Sequence, residues 1–229
     1  MKKAMLLLLI CSILIFSVAC GGSADTESGQ VEASQETERT SESAQPSRAE
    51  ASRVLVAYFT WADNTENPEG VDEMASPSVH APGHVAQLAS WIQERTGGDS
   101  FSIRVTEPYS SDWDECLDRA NREKAEGTRP ELVETVENMD DYDVIFLGYP
   151  NWWYSCPMAL ISFLEEYDFS GKQVYLFCSH GTGGLANSVE DITEVIPDAD
   201  LSDNVFDVYE EDASSSRDEV ESWLQELGY

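Results

Sequence analysis

The chain of 229 residues carries 44 acidic against 13 basic side chains, a formal charge of −31, and 41% of it is hydrophobic. That charge argues against nucleic acid as a partner and favours solubility, basic protein partners and repulsion from anionic lipid. The five cysteines show no CxxC spacing and His80, His84 and His180 show no ligand spacing, which argues against a metal site.

The chain opens with Lys2 and Lys3, an apolar run from Ala4 to Phe16, and then Ser17, Val18, Ala19 and Cys20. Charge, length and small residues mark residues 1–20 as a secretory signal peptide. The cysteine directly after them resembles a bacterial lipobox. That resemblance implies lipidation at Cys20 and an extracytoplasmic protein anchored to the cell membrane as a lipoprotein. Ser17 departs from the aliphatic residue usual three positions before such a cysteine. The alternatives are a plain signal peptide or an uncleaved anchor, for which the apolar run is short. Residues 21–52 are Ser, Glu, Ala, Thr and Gln with almost nothing large and apolar, so they cannot offset their ordering entropy. They predict a disordered linker with a root-mean-square span of roughly 30 Å.

Residues 53–229 are one domain's worth of chain. Arg53 to Phe59 reads as a strand buried on both faces. A long polar loop follows, with Pro68, Gly70, Pro77, Pro82 and Gly83, before Val85, Leu88, Ala89 and Ile92 give a helical stripe that ends at Gly97 and Gly98. Phe101, Ile103 and Val105 alternate with polar residues as an edge strand does. Ser110 to Asp112 predict the cap of a helix that runs to about Glu126 and stops at Gly127.

Val144 to Leu147 is the most continuously apolar run and reads as the central strand. Gly148, Pro150, Asn151, Trp152 and Trp153 follow it as an aromatic loop, and Pro157 suits the first turn of a helix through Leu164 that Gly171 ends. Val174 to Cys178 is another buried strand, with Ser179 to Gly184 as its glycine-rich loop. Leu185, Val189, Ile192 and Ile196 mark the next helix. Val205 to Tyr209 is a last strand, and Val220, Trp223, Leu224 and Leu227 line a terminal helix. Of the cysteines, Cys156 and Cys178 lie on loops expected to be neighbours, so a disulfide is allowed outside the membrane; three half-buried free thiols are the simpler expectation.

Strands and helices alternate five times, which predicts an α/β fold with a parallel sheet covered on both faces. Ligands of such sheets sit outside the carboxyl ends of the strands, where strand order reverses. The loops from Thr60, from Pro150 and from Ser179 therefore converge.

The segments VAYFTWADNT, GYPNWW and FCSHGTGG, in this order of elements, resemble the flavodoxin family, and more narrowly its secreted or lipid-anchored bacterial forms. The resemblance covers residues 53–229. It implies a three-layer, doubly wound, five-stranded flavodoxin-like sheet of order 2-1-3-4-5 and non-covalently bound FMN. In those roles Thr60, Trp61, Ala62, Asn64 and Thr65 surround the phosphate with hydroxyl, amide and backbone N–H donors. Asp63 stands where the family usually has glycine, and the helix starts only at Gly83, His84 and Val85. Either these three replace the earlier phosphate donors, because a helix amino terminus attracts anions, or Asn64 and Thr65 keep the phosphate and His84 merely starts a helix. Trp152 or Trp153 covers a face of the isoalloxazine ring, with Pro150 and Asn151 shaping the loop. Ser179, Gly181, Gly183 and Gly184 bring their backbone to its polar edge, and His180 either bonds the flavin or a substrate or braces the loop.

The expected activity is electron transfer with a redox protein partner or a small-molecule acceptor, FMN carrying the chemistry. Two other readings stay open: an FMN-dependent nicotinamide:quinone oxidoreductase, and a flavin-free ligand-binding lipoprotein. No catalytic acid or base stands out in the sequence.

Overall fold

The computed structural model describes residues 52–67, 78 and 81–229. The chain divides into Met1–Arg48 and Ala49–Tyr229, and every described residue lies in the second unit. The signal peptide, Cys20 and nearly all of the linker lie outside the described residues, as does most of the polar loop after Asn67.

The elements run β1 (Val54–Tyr58), α1 (His84–Thr96), β2 (Asp99–Ser102), α2 (Trp113–Glu126), β3 (Val144–Pro150), α3 (Met158–Glu166), β4 (Gln173–His180), α4 (Ser188–Val195), β5 (Asp200–Leu201), β6 (Phe206–Tyr209) and α5 (Arg217–Glu226). The sheet is parallel throughout, in the order β2-β1-β3-β4-β5, with β6 also pairing to β4. All seven residues of β3 are buried, as the unbroken apolar run predicts for a central strand.

Successive side chains of a strand point to opposite faces, and the core divides accordingly. Val54, Val56, Val144 and Phe146 pack with Leu88 and Ile92 of α1 and Trp223 and Leu224 of α5. Leu55, Ala57, Ile145 and Leu147 face the other way, with Cys116 of α2, Leu160 and Phe163 of α3 and Ile192 of α4. The result is the expected three layers.

Three details differ from the sequence reading. The fifth lane is broken in two: β5 pairs with the start of β4 and β6 with its end. The interruption falls at polar Ser202, Asp203 and Asn204, which supply no apolar side chain to the core. The edge strand is shorter and earlier than its alternating pattern suggested. Beyond Ile103, whose N–H still donates to the Tyr58 carbonyl at 2.7 Å, the chain leaves β1, and Val105 instead pairs antiparallel with Leu132. Third, α3 stops at Glu166, with Tyr167 extended, so Gly171 sits in the turn before β4 and does not end the helix. The predicted cap of α2 is present: the Asp112 carboxylate accepts from the Glu115 N–H at 3.0 Å, and Gly127 closes the helix at φ 65°. Cys116, Cys156 and Cys178 are free thiols, but fully rather than half buried.

Gly148 shows how closely the sheet is packed. A Cβ there would fall 2.2 Å from the Phe177 ring, so a larger residue would displace β4 from β3. Among the described residues no helix is long and apolar enough to cross a membrane.

Candidate functional site

The loops after β1, β3 and β4 leave the same end of the sheet. After β1 the chain turns through Ala62–Asn64, a single 3-10 turn. Thr60 is buried at its start, and a Cβ on Gly83 would lie 2.2 Å from Thr60 Oγ1. Gly83 also has φ +82°, so both contact and backbone require glycine here. The first turn of α1 begins at Gly83, which has no side chain to cap it, and the positive end of the helix dipole lies beside Thr60. Thr65 Oγ1 and Trp61 Nε1 are buried polar atoms with no hydrogen-bond partner, an uncommon state for buried groups.

Asn64 does not serve as the sequence suggested. Its Nδ2 donates to the carbonyls of Thr60 at 2.8 Å and Ile103 at 3.0 Å, and its Oδ1 accepts from the Val105 N–H at 2.9 Å. The amide is wholly engaged in bracing the β1 loop against the chain leaving β2. Asp63 turns outward to accept from Ser102 Oγ at 2.6 Å. Ala62 and Val85 are buried by packing, with Ala62 against Gly83.

In the second loop, Trp152 and Ser155 exchange both backbone hydrogen bonds, at 2.9 and 3.0 Å, around a two-residue turn. The turn residues are Trp153 at φ 49° and Tyr154 at φ 64°. Positive φ at both positions is the signature of a type I′ turn, usually made by Asn-Gly. Left-handed backbone costs roughly 1–2 kcal/mol for each residue bearing a Cβ, so this turn is held by its surroundings. Lys124 Nζ of α2 donates to the Trp153 carbonyl at 3.3 Å, the Asn187 N–H donates to the Tyr154 carbonyl at 3.2 Å, and Ser155 Oγ donates to Asp191. Asn151 ties the loop to its neighbours, its N–H donating to the Ser179 carbonyl and its amide to the Leu185 carbonyl, both at 2.9 Å.

Trp152 turns inward, edge-on to Phe59 at 5.3 Å and Tyr109 at 5.1 Å. Trp153 lies half-buried against Trp113, the first residue of α2, at 6.0 Å. Tyr154 is 67% exposed.

The third loop begins at Ser179, whose Oγ is buried without a partner. At His180, Nε2 lies 2.9 Å from Asp207 Oδ2 and Nδ1 lies 2.8 Å from the Gly181 carbonyl, which braces the turn. A Cβ on Gly181 or Gly183 would meet only ordinary contacts, to Glu210 and to the Tyr154 ring, so internal packing does not demand glycine at either position. Gly184 sits in the following turn at φ +58°.

The loops after β3 and β4 enclose a cleft of about 210 Å³, lined by Pro150, Asn151, Trp152, Trp153, Ser179, His180, Gly181 and Gly183 of the predicted set, whereas Thr60, Trp61, Ala62, Asn64, Thr65, Gly83, His84, Val85 and Gly184 do not line it. Trp113, Tyr154, Thr182, Ser78 and Glu210 join them, and sequence reasoning missed all five. Only Trp113 carried a signal: an aromatic residue at the very start of a helix otherwise rich in charge. Ser78 connects the two poles of the site, since it lines the cleft and its carbonyl lies 3.2 Å from the Cβ position of Gly83. A larger cavity of about 480 Å³ lies between α2 and residues 128–131. Its arginines are largely paired already, Arg119 with Glu123 and Arg129 with Glu165, and none of its lining residues comes from the loops after β1, β3 or β4. The smaller cleft is therefore the candidate site. Among the described residues no group of three or more His, Cys, Asp or Glu side chains is arranged to hold a metal ion.

Two solved structures share this fold, and a third is reported beside them. A candidate flavoprotein from Bacteroides eggerthii is 26% identical, with a TM-score of 0.59 over 78% of this chain and 99% of its own. Another from Bacteroides uniformis is 24% identical, with a TM-score of 0.60 over 76% of this chain and 98% of its own. A flavoprotein from Lactobacillus acidophilus, solved in complex with FMN, is 21% identical, with a TM-score of 0.49 over 75% of this chain and 99% of its own. No curated protein matches the chain. Residues 73–227 match the family model described as flavodoxin, and with the parallel 2-1-3-4-5 sheet and the cleft at its carboxyl edge, the chain belongs to the flavodoxin family.

Proposed function

We propose that this domain binds FMN non-covalently and carries single electrons between redox partners outside the cytoplasmic membrane, held there by the linker of residues 21–52 through a lipid on Cys20. The observation that carries the cofactor reading is the pairing of two poles. One is the positive end of α1, opened by Gly83 beside buried Thr60. The other is a cleft rimmed by Trp113, Trp153 and Tyr154, with the unpartnered Ser179 hydroxyl in its wall. A phosphate fits the first pole and a flat, polar-edged ring the second.

The α1 amino end, with Thr60, Gly83, His84 and Val85, would hold the phosphate. The committed amide of Asn64 favours this arrangement over one in which Asn64 and Thr65 hold it. Trp153 and Tyr154 would cover the ring, and the backbone of residues 179–183 would meet its edge. FMN, when bound, supplies the capacity to take up and release electrons singly or in pairs. The chain's own part is electrostatic: residues 53–229 carry 37 acidic against 9 basic side chains, and that net charge of −28 disfavours adding further negative charge in the cleft, and so disfavours the second electron relative to the first. That property suits one-electron traffic with a basic partner.

The test is a visible spectrum of the purified protein with and without added FMN, followed by a redox titration and a nicotinamide oxidation assay with quinones. A colourless protein that takes up no FMN overturns the cofactor reading. A single two-electron wave with rapid nicotinamide oxidation overturns the carrier.

A further inference from the structure

Beneath the cleft the aromatic side chains form a connected set. The Trp113 ring, 37% exposed at the cleft mouth, lies 5.9 Å from Trp61 and 6.0 Å from Trp153. Those two rings lie 6.2 and 5.5 Å from Trp152, and Trp152 lies 5.1 Å from Tyr109. Two routes thus lead inward from one exposed indole to one buried phenol, each made of rings close to van der Waals contact. Single electrons exchange rapidly between indoles at such spacings.

The route ends in a built proton site. Tyr109 is fully buried, and its hydroxyl donates to Glu123 Oε2 at 2.8 Å. Arg119 Nε donates to Glu123 Oε1 at 2.8 Å, and the Arg119 guanidinium lies 4.1 Å from the centre of the Tyr109 ring. A cation over the ring opposes a second positive charge on it, whereas a carboxylate already hydrogen-bonded to the phenol can accept its proton. Glu123 also lines the open cavity of about 480 Å³ beside α2, which gives that proton a way to water. Burial holds the phenol far above its ordinary pKa in the resting protein, so Tyr109 does not ionise unless it is oxidised.

We propose that Tyr109 is a redox-active tyrosine, the inner terminus of a tryptophan relay that opens at the cleft, with Glu123 as its proton acceptor. In the inward step Tyr109 gives one electron to the oxidised Trp152 ring and its hydroxyl proton to Glu123. Trp152 is restored, Glu123 becomes a carboxylic acid, and Tyr109 becomes a neutral tyrosyl radical. The return step takes one electron into Tyr109 and the proton back from Glu123. The oxidant that starts the sequence is an outer-sphere one-electron acceptor at Trp113. The relay belongs to the protein itself, so it does not depend on the flavin reading.

The experiment uses the flavin-free full-length chain with photogenerated tris(bipyridine)ruthenium(III), a cation that the −31 charge draws to the surface. Radicals are followed by transient absorption and electron paramagnetic resonance. The expected result is a tyrosyl signal that outlives that of exposed tyrosines in the presence of ascorbate and forms more slowly in D2O than in H2O. It should be lost in Tyr109→Phe and in Glu123→Gln, and kept in Tyr154→Phe, which removes the exposed cleft phenol. A long-lived signal that survives in Tyr109→Phe, or disappears in Tyr154→Phe, overturns the proposal. Should Tyr109→Phe or Glu123→Gln fail to fold, the unmodified chain decides: no long-lived tyrosyl signal, or equal formation rates in the two solvents, overturns it.

Discussion

Replacing Asn64 by alanine separates a structural bracket from a ligand contact. The side chain is 1% exposed and satisfies three backbone groups at once: the carbonyls of Thr60 and Ile103 and the N–H of Val105. Alanine leaves all three without a partner in a region sealed by Tyr109 and Trp61. At about 1–3 kcal/mol for each buried group left unsatisfied, and with incomplete additivity, the loss of folding stability should be about 3–6 kcal/mol. Water entering the space vacated by the amide would bring the value toward the lower end. The assay is urea unfolding followed by tryptophan fluorescence, with FMN affinity measured on the folded fraction. The refuting result is a variant within about 1 kcal/mol of the parent in stability that has nonetheless lost FMN affinity, for then the amide serves the phosphate and not the backbone.

The two tryptophans of the aromatic loop should behave differently. Trp152→Ala should lose about 3–5 kcal/mol of stability, because its ring is packed among Phe59, Trp61 and Tyr109. Trp153→Ala should be far milder in stability but should weaken FMN binding by about 1–3 kcal/mol, by analogy with stacking on nucleobases; equal effects of the two on affinity would show that neither ring is specific to the flavin. Burial pushes the thiols of Cys116 and Cys156 up to about 12. Their folded pKa values exceed the unfolded value near 8.5, so their contribution to stability is complete below that value and is lost as pH rises from there toward 12. Each should cost about 1.4 kcal/mol per pH unit across that window, a slope that Cys116→Ala should reduce and that a flat alkaline profile would contradict. Cys20→Ser should move the protein from the membrane fraction to a soluble or unprocessed form without changing the flavin content of the folded domain. A variant processed to the same size and still membrane-bound would rule out lipidation there.

The sequence by itself was enough for the first four strands, the five helices, the central strand and the end of the sheet at which the loops lie. These depend on local properties: unbroken apolar runs such as Val144 to Leu147, the cap at Asp112, and the glycine that closes α2. A strand buried on both faces leaves a one-dimensional trace, and so does a helix stripe. The tertiary structure alone decided what the polar and aromatic side chains do. Asn64 read as a phosphate donor because its amide can donate anywhere, yet the chain leaving β2 approaches close enough to engage both its nitrogen and its oxygen. Trp152 and Trp153 are identical in sequence terms, and only the tertiary structure buries one ring between the core and the cleft wall and leaves the other half-buried beside a left-handed turn. Trp113 and Glu210 reach the site from elements distant in sequence. The Arg119–Glu123–Tyr109 cluster was invisible for the same reason. A spacing of four residues on a helix announces the ion pair, but not the phenol that the loop before α2 folds against it. Hydrophobic periodicity reports which way a side chain faces; which hydrogen bonds it makes is settled only when strands and helices far apart in the chain are brought together.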